Sequence, residues 1–200
     1  LGFQYEGAEA SFELLVMRNI PGYAAPFELD DFVIVERHRH EDGSDQSRDM
    51  IAEAMLKVRV GDEILHTAAE GNGPINALDI AARKALVSIW ASLDKATLAD
   101  YKVRILDGHD ATAASVRVLI ESTDGERYWT TVGASTDIIE ASWLALADAL
   151  ETYYDDLIEG TDWKSDDKKN VSSSYAISPS EVKVTINDNG GWHYHNLSYP

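Results

Sequence analysis

The sequence of 200 residues contains no cysteine. This absence excludes disulfide bonds, thiolate zinc sites and cysteine nucleophiles. No stretch is apolar for long enough to cross a membrane as a helix, and the first residues have neither the basic nor the apolar region of a secretory signal. The sequence is therefore compatible with a cytoplasmic protein, and that is the location we expect.

Basic residues are also scarce, with 17 lysines and arginines against 35 aspartates and glutamates, and the formal net charge is -18. Proteins that bind nucleic acids neutralise phosphates with basic patches, and no such patch stands out in this sequence. We therefore expect no nucleic-acid partner and no membrane contact, and we interpret the charge as an acidic surface. The chain begins with leucine rather than methionine, and we expect it to be part of a longer protein.

What the sequence does contain is a unit that occurs twice. In the second copy, a hairpin turn at residues 124–125 leads into a strand over 126–132, and a loop of small residues then leads into a helix. Apolar residues recur along that helix at the spacing of one buried face. These residues are Ile139, Trp143, Leu146, Leu150, Tyr153 and Leu157.

The first copy has the same order in a weaker form. A turn at residues 61–63 precedes a strand over 64–70 and a glycine-rich loop, and a helix is predicted from Pro74 to about Leu93. In each copy, two further strands precede the strand that leads into the helix. They are predicted from apolar alternation or from β-branched residues. These remaining predicted strands cover residues 32–37, 50–60, 100–106 and 113–122.

The pattern predicts an α+β fold of duplicated β-β-β-α units, in which helices pack on antiparallel sheets. The two halves can bury their remaining apolar surface against each other or in a dimer. We expect residues 1–30 to form a linker or hinge subdomain. Residues 31–158 then form a domain of two repeats, at about 31–95 and 99–158. Residues 159–200 form a polar linker and a hairpin-like tail, to which the sequence assigns no role.

Three motifs, in the same order, resemble the C-terminal regulatory domain of citramalate synthases, which belong to the wider 2-isopropylmalate synthase family. The strongest is VLIESTDGER at 118–127 followed by TVGASTDIIEASW at 131–143, and GNGPINALD at 71–79 is similar to the same family's glycine-rich motif. YEGAEASFELL at 5–15 is similar to the segment between that family's catalytic barrel and its regulatory domain. The resemblance covers roughly residues 1–155.

The resemblance implies a parent enzyme, an acyltransferase that condenses acetyl-CoA with a 2-oxo acid at a divalent metal in a TIM barrel. That barrel is absent from this sequence, so we expect no cofactor in this fragment and no activity from it alone. The metal and acetyl-CoA belong to the missing barrel, which becomes a partner within the parent chain.

The resemblance also implies a homodimer that binds the branched-chain amino acid at the end of the pathway. Isoleucine is then the feedback inhibitor of a citramalate synthase, and leucine is the effector of a 2-isopropylmalate synthase. One alternative is a module that only dimerises and has no effector. Another is a stand-alone enzyme that uses the histidines and the abundant acids, which predicts metal retention and activity without a barrel.

The expected effector site joins the two loops of small residues. Loops of this kind at the start of a helix expose backbone N–H groups to a carboxylate, and small residues allow close approach. Branched side chains then line an apolar slot, and either backbone carbonyls or an acid, for which Asp107 and Asp137 are the candidates, take the ammonium. Carried over from the motif, the predicted effector-binding residues are Gly71, Asn72, Gly73, Pro74, Ile75, Asn76, Asp107, Gly133, Ala134, Ser135, Asp137, Ile138 and Ile139. The alternative is that these glycines only form turns and these isoleucines only fill the core; catalytic and metal-binding residues are not expected.

Overall fold

In a computed structural model of the protein, the described residues are 5–38, 50–106 and 114–162, together with three short strands closer to the C terminus. The chain divides into two compact units, Leu1–Ile158 and Glu159–Pro200. The larger unit holds both copies of the repeated pattern and all the residues of the candidate site.

The larger unit begins with a helix and then passes through three antiparallel strands to a second helix. The strands pair in the order β1-β2-β3. Along β2, Ala52, Ala54, Leu56 and Val58 are fully buried and their neighbours are not, so one face of the sheet meets the helix. The elements are α1 (Glu9–Met17), β1 (Glu28–His38), β2 (Met50–Val60), β3 (Glu63–Gly71) and α2 (Pro74–Leu86), followed by a 3₁₀-helix (Ala91–Lys95).

The second half repeats this order. Its strands are β4 (Thr97–Ile105), β5 (Val116–Thr123) and β6 (Tyr128–Ser135), paired in the order β4-β5-β6, and its helix is α3 (Ile138–Asp162). The two three-stranded antiparallel sheets and their helices confirm the predicted α+β fold of duplicated β-β-β-α units.

The strand-to-helix contacts occupy equivalent positions in the two halves. The hydroxyl of Thr67 on β3 donates a hydrogen bond of 2.8 Å to the carbonyl oxygen of Ala81 on α2. The hydroxyl of Thr131 on β6 donates one of 2.7 Å to the carbonyl oxygen of Ala145 on α3. These matching bonds align the halves residue by residue, and the first strand of each half also carries a bulge at the same point.

Both halves contribute to one apolar core. Leu56, Leu78 and Leu86 from the first half and Ile120 and Leu146 from the second are essentially inaccessible to solvent and belong to one cluster of packed side chains. A unit of about 60 residues buries only a modest share of its surface, so a core shared by two such halves is larger than either could form alone. The halves therefore bury apolar surface against each other, as the sequence allowed.

Helix α2 is shorter than predicted. It ends at Leu86, and the apolar spacing that continues to Ile89 and Leu93 runs through a turn and the 3₁₀-helix. Leu93 is buried, but Ile89 is 39% exposed. The apolar spacing therefore predicted a helix that is too long, because a residue in the turn after the helix can point into the same core.

In the smaller unit, the described residues form three short antiparallel strands in the order β7-β8-β9. They are β7 (Tyr175–Ala176), β8 (Lys183–Ile186) and β9 (Trp192–His195). The β8–β9 pair is the hairpin expected in the tail. Among the residues that the structure describes in both units, no helix is long and apolar enough to cross a membrane.

Candidate effector site

A cleft of about 460 Å3 opens beside the first turns of helix α2 and strand β4. This volume falls within the range of pockets that bind small molecules. The cleft is lined by Ile75, Asn76, Asp79, Arg83, Thr97, Leu98 and Tyr101. It therefore combines an acid and a base with apolar side chains.

The acid and the base, Asp79 and Arg83, lie one helical turn apart on α2. The Nε of Arg83 donates a hydrogen bond of 2.8 Å to Oδ1 of Asp79, and the two side chains are only 18% and 14% exposed, respectively. Burial raises the pKa of Asp79, while the charge and hydrogen bond of Arg83 oppose this rise. A second nitrogen of Arg83 donates to the carbonyl oxygen of Ala96, directly before β4. The pair thus ties α2 to the start of β4 and places opposite charges in the wall of the cleft.

The apolar part of the cleft comes from Ile75 and Leu98, both half-buried, and from the ring of Tyr101. The hydroxyl of Tyr101 lies 2.7 Å from the hydroxyl of Ser142 on α3, in hydrogen-bond contact, which fixes the ring in place. A ligand with an ammonium, a carboxylate and a small aliphatic group matches this set: the ammonium suits Asp79, the carboxylate suits Arg83, and the aliphatic group suits the apolar wall.

The cleft lies between α2 of the first half and β4 of the second, and at the equivalent place, between α3 and β1, an aromatic pair takes its position. Asp79 and Trp143 hold equivalent positions, each two residues before the helix carbonyl that accepts the threonine hydrogen bond. Phe32 and Tyr101 are also equivalent, since each lies three residues after the leucine at which the register of its strand shifts. Where Tyr101 and Asp79 line the cleft, Phe32 and Trp143 pack with ring centroids 6.2 Å apart.

The residues predicted in the first loop lie at the entrance to α2. Gly71 is the last residue of β3 rather than a loop residue, and residues 72–73 connect it to Pro74, the first residue of α2. Both Ile75 and Asn76 line the cleft. The backbone N–H of Asn72 donates a hydrogen bond of 3.1 Å to Oδ1 of Asn76. This N–H group, which the sequence offered to a ligand carboxylate, already has an acceptor.

The second predicted loop is mostly strand. Gly133 and Ala134 are buried residues of β6, and Ser135 is its last residue, so the interpretation of these three as loop residues is wrong. A Cβ atom on Gly133 would lie 1.9 Å from the carbonyl oxygen of Ala141. The small side chains here reflect the close approach of α3 to the strand rather than an exposed anion-binding loop.

The remaining predicted residues surround the start of α3. Oδ1 of Asp137 accepts hydrogen bonds from the N–H groups of Ile139, at 2.7 Å, and of Glu140, at 3.4 Å, and so caps the helix. Ile138 is 43% exposed and Ile139 is half-buried. Asp107 lies outside the described residues. The residues predicted over 133–139 do not line the cleft, and their contact with an effector stays a prediction.

Sequence reasoning did not single out Asp79, Arg83, Leu98 and Tyr101. The spacing of Asp79 and Arg83 is a signal for an ion pair within a helix. Such pairs usually lie on a solvated face, so the spacing alone carries no indication of a site. The pair becomes distinctive only because the chain that enters β4 covers it.

Two other features of the described residues bear on the chemistry that the domain can perform. A second cleft of about 390 Å3 runs along β4 and β5, and its acids and bases are equal in number, so it has no net preference for an anion. Its lining consists of Glu6, Gly7, Asp100, Lys102, Arg104, Arg117, Leu119, Glu121 and Thr130. Within the described ranges, no group of three or more metal-ligating side chains is placed to hold a metal ion.

Two β-β-β-α halves that share one core define the class of small α+β domains built by internal duplication. The chain belongs to the LeuA allosteric (dimerisation) domain family, whose model matches residues 6–154. This match confirms the family that the sequence motifs indicated.

The relatives of the chain are much longer proteins. It is 49% identical over 150 residues to an (R)-citramalate synthase of Geobacter sulfurreducens, which covers 75% of this chain and 28% of the relative. It is 46% identical over 149 residues to an (R)-citramalate synthase of Aquifex aeolicus, covering 74% and 27%. A 2-isopropylmalate synthase of Sodalis glossinidius is 33% identical over 104 residues, covering 52% and 18%. The chain thus spans little more than a quarter of the length of these citramalate synthases.

Proposed function

We propose that the chain is the allosteric regulatory and dimerisation domain of an acetyl-CoA-dependent 2-oxo acid condensing enzyme of the citramalate synthase type. In this proposal it binds isoleucine as a feedback inhibitor. The observation that carries the proposal is the cleft beside α2 and β4, where the buried pair Asp79 and Arg83 adjoins apolar side chains.

A free branched-chain amino acid supplies one group for each part of that cleft. Its ammonium meets the carboxylate of Asp79, its carboxylate meets the guanidinium of Arg83, and its side chain meets Ile75 and Leu98. Because both charged side chains are largely buried, each contact is stronger than it would be in open solvent. The presence of Ile75 and Asn76 in the lining supports an effector near residues 71–76, and residues 133–139 stay in the proposal as a second contact region near the repeat or dimer interface.

Regulation then follows from linkage. The effector binds one arrangement of a homodimer better than another and biases the attached barrel through the linker predicted at residues 19–31, of which residues 19–27 precede β1. Effector binding and substrate binding must be coupled reciprocally where both are at equilibrium. The condensation itself, with its metal and acetyl-CoA, takes place in the barrel of the parent chain.

Leucine is the competing effector, and the higher identity to citramalate synthases favours isoleucine over it. An apolar slot separates side chains that differ by one methylene by only about 1–3 kcal/mol, so valine is also expected to bind weakly. A domain that only dimerises remains the other alternative.

The proposal is tested by calorimetric titration of the chain with isoleucine, leucine and valine at fixed salt, with its mass in solution measured in parallel. We expect a dimer and saturable binding that is tightest for isoleucine, at one ligand per chain or per dimer. Tightest binding of leucine would assign the domain to the 2-isopropylmalate synthase branch. A folded dimer that gives no heat and no rise in melting temperature at millimolar ligand would leave only the dimerisation role.

A further inference from the structure

Helix α1 is attached to the rest of the larger unit by a small apolar surface. Its buried residues are Ala10, Ser11 and Leu14, and only Leu14 is a large apolar side chain. Leu15, the next residue, is 41% exposed. Phe12, Val16 and Met17 are only half-buried, so the polar contacts of α1 are a substantial part of its attachment.

The first of these contacts is made by Ser11. Its hydroxyl oxygen accepts a hydrogen bond of 2.9 Å from the backbone N–H of Val132, and the hydroxyl donates one of 2.6 Å to Oδ2 of Asp148 on α3. Strand β6 lies at the edge of its sheet, where an N–H group has no neighbouring strand to accept from it. A single side chain therefore joins α1 to both the strand edge and helix α3.

The second contact is made by Arg18, directly after α1. Its Nη2 lies 2.8 Å from Oδ1 of Asp148 and 2.6 Å from Oε2 of Glu151. The hydroxyl of Tyr23 donates a further hydrogen bond of 2.7 Å to Oε1 of Glu151. The carboxylates of Asp148 and Glu151 are only 13% and 4% exposed. Two buried acids of α3 thus take their charge compensation from the N-terminal segment.

This segment is bounded by two glycines with left-handed backbone angles. Gly7 has φ +75° and Gly22 has φ +94°, and a Cβ atom on either would meet no heavy atom within 4 Å. Pro21, directly before the second glycine, also prevents continuation of the helix. A helix held by polar contacts and bounded by two unpacked glycines is built to move as one piece.

We propose that residues 7–23 form a latch, which docks on α3 through Arg18 and Ser11 and opens as a unit while both β-sheets, α2 and α3 stay folded. The docked latch places one positive charge and two hydroxyl donors against the acid pair of α3, and its Ser11 accepts from the edge of β6. The open latch exposes that acid pair and the N–H of Val132. Any part of a longer chain that precedes the latch moves with it, so this device is independent of which effector binds in the cleft.

Hydrogen exchange read by mass spectrometry, on the whole 200-residue chain, tests the latch. In the wild type, we expect residues 9–17 to exchange at least about tenfold faster than residues 141–150 of α3, because local opening needs less free energy than global unfolding. Arg18→Gln removes the positive charge that holds the latch on Asp148 and Glu151. We expect it to speed exchange of residues 9–17 by about another tenfold and to leave α2 and β5 within about twofold of the wild type.

The matched control is Arg59→Gln. Arg59 has the same side-chain exposure as Arg18, 40%, but its partner Asp30 is 36% exposed rather than buried. We expect this control to leave exchange of residues 9–17 unchanged. The triple variant Arg18→Gln, Asp148→Asn, Glu151→Gln removes the Arg18 charge and both buried carboxylate charges together. We expect exchange of residues 9–17 in this variant to return to within about threefold of the wild type.

Three results would overturn the proposal. One is exchange of residues 9–17 in the wild type that matches β5 at every denaturant concentration, since the segment then opens only with the whole unit. Another is unchanged exchange in Arg18→Gln. The third is loss of protection across α2 and β5 in Arg18→Gln, because the segment is then part of the global fold rather than a separable latch.

Discussion

The ring of Phe32 on β1 lies 6.2 Å, centroid to centroid, from the ring of Trp143 on α3. Phe32 belongs to the first half of the domain and Trp143 to the second, so this contact joins the halves directly. Trp143 is only 4% exposed, while Phe32 is half-buried. Loss of either ring is therefore expected to loosen one half from the other.

Replacement of this pair gives the first prediction. Trp143→Ala is expected to lower the free energy of unfolding by about 3–5 kcal/mol, and Phe32→Ala by less because its side chain is only partly buried. The double variant is expected to show a coupling of about 0.5–1.5 kcal/mol between the rings. Urea unfolding of the wild type, both single variants and the double variant measures it. Tyr128→Ala, at a 67% exposed position, is the control that should change little; additive effects of the two substitutions would contradict the contact.

Glycine at position 133 is required by packing. A Cβ there would lie 1.9 Å from the backbone oxygen of Ala141, so Gly133→Ala must push α3 away from β6 and is expected to cost about 3 kcal/mol. Gly73→Ala is the comparison, because a Cβ at Gly73 meets nothing within 4 Å and its φ of 174° is ordinary extended backbone. We expect that change to cost less than about 1 kcal/mol. Equal losses in chemical denaturation would refute the packing explanation.

Asp79 provides a prediction about the ligand. Asp79→Asn keeps the shape of the side chain and removes its charge, so the proposed contact with an ammonium weakens, and the dissociation constant for isoleucine is expected to rise about tenfold or more. Calorimetry on the variant and on Asp94→Asn measures this effect. Asp94 is an exposed residue of the 3₁₀-helix and does not line the cleft. Identical affinities in the two variants would place the ammonium elsewhere.

The acid pair beneath the latch predicts a pH dependence of stability. Burial raises the pKa of Asp148 above its ordinary 3.8, with a contribution from Glu151, while Arg18 and Ser11 oppose the rise; the Tyr5 hydroxyl also faces this carboxyl. A raised pKa means that the folded state binds more protons than the unfolded state, so this contribution to stability is complete below pH 3.8 and is lost as the pH rises through the folded pKa. The stability of the wild type relative to Asp148→Asn is therefore expected to fall as the pH rises above 3.8, through the raised pKa of Asp148 in the folded state.

Asp124 supplies the control of opposite sign. Although burial opposes the shift, hydrogen bonds from the backbone N–H groups of Arg127 and Glu126 lower the pKa of Asp124. Its contribution is present above the ordinary value of 3.8 and is lost as the pH falls through the folded pKa. Urea unfolding at a series of pH values measures the difference in unfolding free energy between the wild type and each variant. As the pH rises, this difference should fall for Asp148→Asn and rise for Asp124→Asn. Parallel slopes would show that the buried carboxyl does not behave as described.

Much of the fold follows from local sequence patterns. The alternation through Leu56 and Val58 defines β2, whose observed limits, Met50–Val60, are those predicted. The turn at residues 124–125 places β5 and β6 in register because Asp124 caps the turn with its own side chain. Patterns of this kind are local, so they are visible in one sequence. The end of α2 and the strand conformation of Gly133 depend on what packs against them from elsewhere in the chain, and this information is absent from the local pattern.

The candidate site was predicted only in part, for the same reason. Ile75 and Asn76 could be predicted from the sequence because a glycine-rich loop before a helix is a recognisable motif. Arg83 and Tyr101 were not, because they meet only when β4 folds beside α2. Ser11 and Arg18 each contact Asp148, which lies more than a hundred positions further along the chain, and no sequence motif connects them. Such relationships require the tertiary structure.

The aromatic pair that occupies the second copy of the cleft sets a stoichiometry. The two halves of the chain have the same order of strands and helix, but they differ at one equivalent position. Asp79 on α2 lines the open cleft, whereas Trp143 on α3 packs against Phe32. Under the proposed function, the described residues of each chain then combine one such cleft with an aromatic contact at the equivalent place, so two matching sites within a chain are not the source of a cooperative response. Any sigmoidal response of the parent enzyme would have to arise between chains, which makes the dimer the smallest assembly able to produce one.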